Sequence, residues 1–353
     1  MQNPARGNNF DLLRLVLATM VVYSHSFALV GQQEPIAWGR SLGSLAVHGF
    51  FAISGYLVCQ SWMRSVSWLV FSTNRLLRIV PGLVVALVLS RFAANLCGNY
   101  VSNPVPYISN GPVWTLTWEV VAYAGLVALG LVGVLTPAAM PAFFASAWLV
   151  YLVHPAQASD TFVVIVPLMM MFASGAFLAV MEGRIDRRAA GLLGLAALAL
   201  TLHLPTFYAV CDFVRGSVPW LWGPSVPNDL AYRVVYLVAF PLALVYLGGD
   251  AFRPVRLGRD LSYGVYVYGW PVAQMIAYAS LSHSGRPPAP FPMFLLTMIG
   301  TLPLALASWH GIEKPALSLK RILTVRSGRD AGDAASSRDD SPSAFSRPRR
   351  PAA

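Results

Sequence analysis

Residues 8–30, NNFDLLRLVLATMVVYSHSFALV, place Asp11, Arg14 and His25 inside a run that is otherwise apolar for the length of a membrane crossing. A crossing needs about 20 mostly apolar residues, because the hydrocarbon layer is about 30 Å thick and a helix rises about 1.5 Å per residue. At about 100° per residue, Arg14 lies about 60° from Asp11 and His25 about 20° from Arg14, so the three share one helix face. His25 stands about 16 Å further along the axis than Arg14. The charges near the start, and the lack of a small-x-small site after the run, point to a retained helix rather than a signal peptide.

The rest of the chain extends this reading. Of 353 residues, 56% are hydrophobic and 11% charged, against about 25% charged in soluble domains. So few charges cannot coat a water-soluble surface of this size, and the fold class expected is an all-α polytopic membrane bundle. Ten spans are read at 10–30, 43–63, 76–96, 112–135, 139–157, 161–181, 189–205, 230–248, 260–281 and 291–312. With both termini in the cytoplasm, 20 of the 25 Lys and Arg residues fall on the cytoplasmic side. Arg40, Arg91, Arg215, Arg233 and Arg286 remain on the other, the bias expected of short loops. The net charge of +10 is scattered between apolar runs, which argues against a nucleic-acid partner. Cys59, Cys97 and Cys211 lack C-x-x-C spacing and exclude a disulfide scaffold or zinc knuckle. Beyond residue 326 large apolar side chains nearly vanish. Residues 1–326 are therefore expected to form one transmembrane domain and 327–353 a disordered cytoplasmic tail.

Ionisable groups within spans cost roughly 2.5–3.5 kcal/mol each on insertion scales, so each invites a functional reading. Asp11 and Arg14 alone can form an i,i+3 ion pair at the interface. Arg75 and Arg78, three apart at the entrance of the third span, suit either positive-inside anchoring or a phosphate clamp. Glu119 falls six residues into the fourth apolar stretch, roughly 9 Å deep, with Trp114, Thr115 and Tyr123 at helical spacing around it. His48, His154, His203, His283 and His310 are read at loops or span ends, solvated or satisfied by neighbours, and Glu313 and Lys314 as a local pair closing the last span. Arginines at one rim, a histidine near mid-depth and a glutamate approached from the opposite face mark a polar track through the bundle. Such a track suits a reaction between an anionic donor and an acceptor on opposite sides. It equally suits a permeation pathway for a glycan or lipid-linked sugar.

Six segments in order then resemble the acyltransferase-3 family of integral membrane acyltransferases over about residues 8–320. They are NNFDLLRLVLATMVVYSHS, AVHGFFAISGYLV, NRLLRIVPGL, GPVWTLTWEVVAY, LSYGVYVYGWPV and WHGIEKPAL. The resemblance implies that His25 matches the family's essential histidine and Arg14 its first-span arginine. Asp11 matches the acidic position a turn earlier, Arg75 and Arg78 the R-x-x-R pair, and Glu119 the fourth-span glutamate. It further implies a multi-pass protein of the bacterial inner membrane with no permanently bound cofactor. The donor it implies is a cytoplasmic acyl-CoA, commonly acetyl-CoA, and the acceptor a hydroxyl of a cell-surface or exported glycan. One departure is Gly269-Trp270-Pro271, where many relatives carry a histidine before the aromatic-Pro.

Acyl transfer from a thioester to an alcohol needs a base for the hydroxyl proton and stabilisation of the tetrahedral oxyanion. His25 is the expected base or, alternatively, an acyl acceptor that passes the group on. Arg14, Arg75 and Arg78 would hold the CoA phosphates, and Glu119 would orient the acceptor hydroxyl or His25. Trp114, Trp118 and Tyr123 are the expected substrate contacts, with a tryptophan stacking on a sugar face. No G-x-S-x-G elbow supports a serine nucleophile.

Overall fold

The computed structural model describes residues 8–153, 160–217, 228–249, 251–255 and 257–319. Among them are eleven α-helices and one two-stranded ribbon. The order is α1 Phe10–Ala28, β1 Ile36–Ala37, β2 Arg40–Ser41, α2 Leu42–Met63, α3 Trp68–Leu96, α4 Val113–Leu131, α5 Met140–Val153, α6 Asp160–Val180, α7 Arg187–Leu202, α8 Leu204–Ser217, α9 Asn228–Gly249, α10 Ser262–Ser284 and α11 Pro290–Ser308. A π-helical turn, Trp309–Glu313, prolongs α11, so that one 30-residue helix runs from Pro290 to Leu319. The expected tail, 327–353, and His154 lie outside the described residues.

Each expected span coincides with a helix, and the molecule is a helical bundle of a multi-pass membrane protein. The number of crossings differs from ten. Seven helices are long and apolar enough to cross (α1, α2, α3, α4, α6, α9 and α11), and α7 with α8 makes an eighth if that pair, bent by 113°, is one span. The 14-residue α5 would cover only about 21 Å, short of the hydrocarbon layer. At 23 residues α10 is long enough, but Tyr, Gly, Ser and Gln dilute its hydropathy. It tolerates them because it packs against α1, α3 and α11, with Val265 to Pro271 all buried. A helix shielded by protein need not satisfy a lipid solvent.

Local chemistry sets several ends. Ser41 and Ser67 accept hydrogen bonds from the backbone N–H groups of Ser44 and Val70 at the starts of α2 and α3, and Asp186 caps α7. The closest packing is between α2 and α6. A Cβ on Gly55 would lie 2.0 Å from the Phe172 carbonyl oxygen, and one on Gly175 would lie 2.1 Å from that of Ala52. Only glycine lets two backbones meet so closely, the small-residue packing typical of helices in lipid. Around this seam the buried cores of α1, α2, α6, α9 and α10 merge into one cluster that includes Phe51, Tyr56, Met171, Tyr236 and Val267. The outer faces stay apolar, as in Val84, Val88 and Phe92 of α3 and Ile299 of α11. Polar ties at the α6–α7 corner fix the frame: Arg187 pairs with Glu182 at 2.8 Å and donates to the Tyr56 hydroxyl, while Gln60 donates to the second Glu182 oxygen.

Candidate functional site

Helix α1 carries polar chemistry at both ends, and each end opens into a cavity. At the Arg14 end a cavity of about 390 Å³ is lined by Asp11, Arg14, Ser54, Ser61, Arg64, Arg75, Arg78 and Tyr123, among others. Four guanidinium groups face it against the carboxylates of Asp11 and, behind Arg14 and Arg78, Asp260. Arg14 does not turn to Asp11, three residues away. Its Nη1 donates to Asp260 Oδ2 at 3.1 Å, and Arg78 Nη2 donates to the same oxygen. Asp260 lies in the link ahead of α10. Its other oxygen accepts from the Ser262 hydroxyl at 2.5 Å and the Ser262 backbone N–H at 3.3 Å. Burial alone would raise this carboxyl, but the Arg14 and Arg78 charges, with the Ser262 bonds, bring it down to about 2.

Arg75 is held differently. Nη2 donates to Ser61 Oγ at 2.7 Å, and the guanidinium carbon stands 5.6 Å from the centre of the Phe71 ring. Its Nε–H is buried with no hydrogen-bond partner among the described residues. A buried, unpartnered donor is costly unless a ligand completes it. The R-x-x-R pair thus splits its work: Arg78 is tied to Asp260, while Arg75 keeps capacity to receive an anion.

Glu119 lines a narrow chamber of about 40 Å³ with Arg14, Val47, Phe50, Ser54, Thr115, Ser262, Tyr263 and Tyr266. That volume holds only a few waters. The carboxylate accepts from Ser54 Oγ at 3.2 Å and from the Tyr123 hydroxyl. Phe50 and Tyr266 meet edge to face at 5.4 Å, and the Tyr266 hydroxyl shares a 2.5 Å hydrogen bond with Thr115 Oγ1. Arg14 and Ser54 are common walls of this chamber and the arginine cavity.

Val47, Thr115 and Tyr266 are in turn common to the chamber and a third cavity, of about 730 Å³, at the His25 end of α1. His25, Glu34, Arg40, His48, Trp114 and Trp270 line it. The His25 ring meets Trp270 edge to face at 4.9 Å, and Trp270 itself is fixed by a 3.0 Å bond from Nε1 to the Ile108 carbonyl. Glu34 accepts a hydrogen bond from Ser24 Oγ. The Arg40 guanidinium lies over the Tyr236 ring at 5.4 Å.

The expected site residues are thus distributed over three cavities, the narrow one sharing walls with each of the other two. Asp11, Arg14, Arg75, Arg78 and Tyr123 sit at one end, Glu119 at the waist, and His25 and Trp114 at the other end. Trp118 instead packs against the apolar core. Two further readings change. His48 is no span-end group: it is 2% exposed, and its Nδ1 lies 2.8 Å from the Tyr236 hydroxyl. Glu313 turns inward rather than toward Lys314, accepting from Ser308 Oγ at 2.9 Å, which in turn accepts from the Tyr268 hydroxyl. Asp260 and Glu34 had not been singled out. The position of Asp260, directly before the LSYGVYVYGWPV segment, was the available signal.

The model of the acyltransferase-3 family, described as an acyltransferase domain, matches residues 8–310. An O-acetyl transferase of Shigella phage Sf6 is 28% identical, the match covering 89% of this chain and 97% of the relative. Nodulation protein 10 of Rhizobium leguminosarum bv. viciae is 27% identical, over 90% and 95% of the two chains. No solved structure matches the chain.

Proposed function

Because this chain belongs to the acyltransferase-3 family and is a membrane acyltransferase, we propose that it moves an acyl group from cytoplasmic acyl-CoA to a glycan hydroxyl on the far side of the bilayer. Acetyl is the group proposed, following the name of the phage relative. The observation that carries the reading is the pair of cavities at the two ends of α1, one lined by Arg14, Arg64, Arg75 and Arg78, the other by His25, each sharing walls with the Glu119 chamber.

The donor's phosphates fit the arginine end. The orphaned Arg75 Nε–H asks for an acceptor, and planar guanidinium groups pair bidentately with phosphate oxygens. With the phosphates there, the pantetheine arm runs along α1 for about 16 Å, the rise from Arg14 to His25. It must pass the waist where Phe50 and Tyr266 meet edge to face at 5.4 Å, so transfer requires one of these rings to turn aside. The acceptor enters the 730 Å³ cavity, whose Trp114 indole offers a flat apolar face to a sugar ring. Neutral imidazole of His25 then takes the hydroxyl proton as the oxygen attacks the thioester carbonyl. The C–S bond breaks, and the imidazolium returns the proton to the departing thiolate. Glu119, bonded to Ser54 and Tyr123, orients groups at the waist. This places the arginine end in the cytoplasm, in keeping with the bias of basic residues, and the membrane is proposed to be a bacterial inner membrane.

A glycan transporter is the weaker reading, because a waist of about 40 Å³ lies on the path and a sugar ring needs several times that room. Mass spectrometry of surface glycans from cells with and without the gene tests the proposal. It expects loss of one ester-linked acyl mass. Unchanged glycans together with no CoA release from acyl-CoA by the purified protein would refute it.

A further inference from the structure

Helix α1 ends three residues after His25, and the chain turns back through a short link so that Glu34 faces the cavity that His25 lines. Two neighbours fix that carboxylate. Ser24 Oγ, on a residue that is 0% exposed and adjacent to His25, donates to Glu34 Oε2. Gly43 closes the other side: a Cβ built there would lie 3.3 Å from Glu34 Oε2 and 3.3 Å from the Ser24 hydroxyl oxygen. The site at the start of α2 is thus a close-fitting cradle for a carboxylate and a hydroxyl, where a methyl group would push one of them aside by a few tenths of an ångström. No cation neutralises Glu34 there. Arg40 lies over Tyr236 instead, and Glu34 has no salt bridge among the described residues. The ionisable groups facing this cavity are Glu34 from the link, Arg40 from β2, His48 from α2 and Tyr266 from α10, beside His25 itself. Of these, only Glu34 is a carboxylic acid, and it lines the same cavity as the His25 ring.

We propose that Glu34 is the positioning carboxylate of His25, holding the imidazole in the productive orientation and offsetting the positive charge it gains on taking the acceptor's proton. The inference rests on the proposed transferase reading. In the first step the acceptor O–H bond breaks, its oxygen bonds to the thioester carbonyl carbon and its proton moves to His25, leaving an imidazolium in the cavity that Glu34 also lines. In the second, that proton goes to the thiolate as CoA leaves. Glu34 exchanges no proton and forms no bond to substrate, and its part is electrostatic and geometric. A buried imidazolium without a counter-charge is expensive, so a carboxylate held at a fixed place beside it lowers the barrier. Its removal should cost on the order of 10²-fold in kcat, within the range of general acid–base effects.

The test uses the full chain in lipid nanodiscs with acetyl-CoA and a hydroxyl acceptor, reading CoA release and acceptor acylation. Wild type and His25→Ala come first: no transfer by wild type, or unchanged transfer by His25→Ala, refutes the transferase reading itself. With that reading standing, Glu34→Gln should lose about 10²-fold in kcat with donor and acceptor KM unchanged. Gly43→Ala, which moves the carboxylate without altering any charge, should lose kcat in the same sense. Glu34→Ala should regain activity with added formate, which the open cavity admits. Wild-type kcat in Glu34→Gln overturns the inference. So does a loss that formate does not relieve, because a purely structural role would produce it.

Discussion

Replacing Asp260 with Asn should destabilise the protein more than any other single polar change at the arginine end. The carboxylate binds Arg14 at 3.1 Å and Arg78, with side-chain exposures of 13% for Asp260, 15% for Arg14 and 31% for Arg78. For a pair of unit charges at about 3 Å with an effective dielectric of about 20, the gross attraction is about 5 kcal/mol. Asn keeps the shape and a weak acceptor but removes the charge, leaving a buried guanidinium uncompensated. Breaking a buried pair from one side costs about 3–5 kcal/mol, and the partial exposure of Arg78 moves the expectation to about 3 kcal/mol. At about 2–4 °C per kcal/mol, this is a fall of about 6–12 °C in the apparent Tm of the detergent-solubilised protein. The same substitution frees two guanidinium groups, so acyl-CoA should raise the Tm of the variant by more than it raises that of wild type. A variant within about 1 °C of wild type would mean that the Asp260 bridge does not hold α1, α3 and the start of α10 together.

Two further outcomes follow from the same geometry. Arg75→Ala should raise the acyl-CoA KM about 10–100-fold with little change in kcat, and Arg75→Lys should not restore it, because an ammonium lacks the planar fork; steady-state kinetics at two salt concentrations checks this. Phe50→Trp adds bulk at the waist of about 40 Å³ and should lower kcat while leaving donor affinity intact, as read by single-turnover acylation and equilibrium binding of acyl-CoA.

The helices were legible because lipid imposes a length and an apolar composition on whatever it touches, and each expected span found its helix. The crossings were less legible. A sliding apolar window reads α10 and α5 alike, but only packing distinguishes a long helix sheltered by neighbours from a short one. The polar path was legible where its residues share a helix face, as Arg14 and His25 do. It failed where partners are remote in sequence: helical spacing offered Asp11 to Arg14, whereas the real partner, Asp260, is 246 residues away. His48 was misplaced for the same reason, its tyrosine partner lying 188 residues on. Glu34 hid in a loop of mixed composition, and its meaning depends on Ser24 and Gly43 closing around it.

The central claim, that His25 at one end of α1 takes a proton for an acyl group delivered from the arginine-lined other end, is tested most directly in proteoliposomes. With acetyl-CoA supplied only on the arginine side and the hydroxyl acceptor only on the His25 side, wild type should acylate the acceptor across the bilayer and His25→Ala should not, while both retain acetyl-CoA binding. Undiminished acylation by His25→Ala, or transfer only when donor and acceptor share one side, would contradict the account.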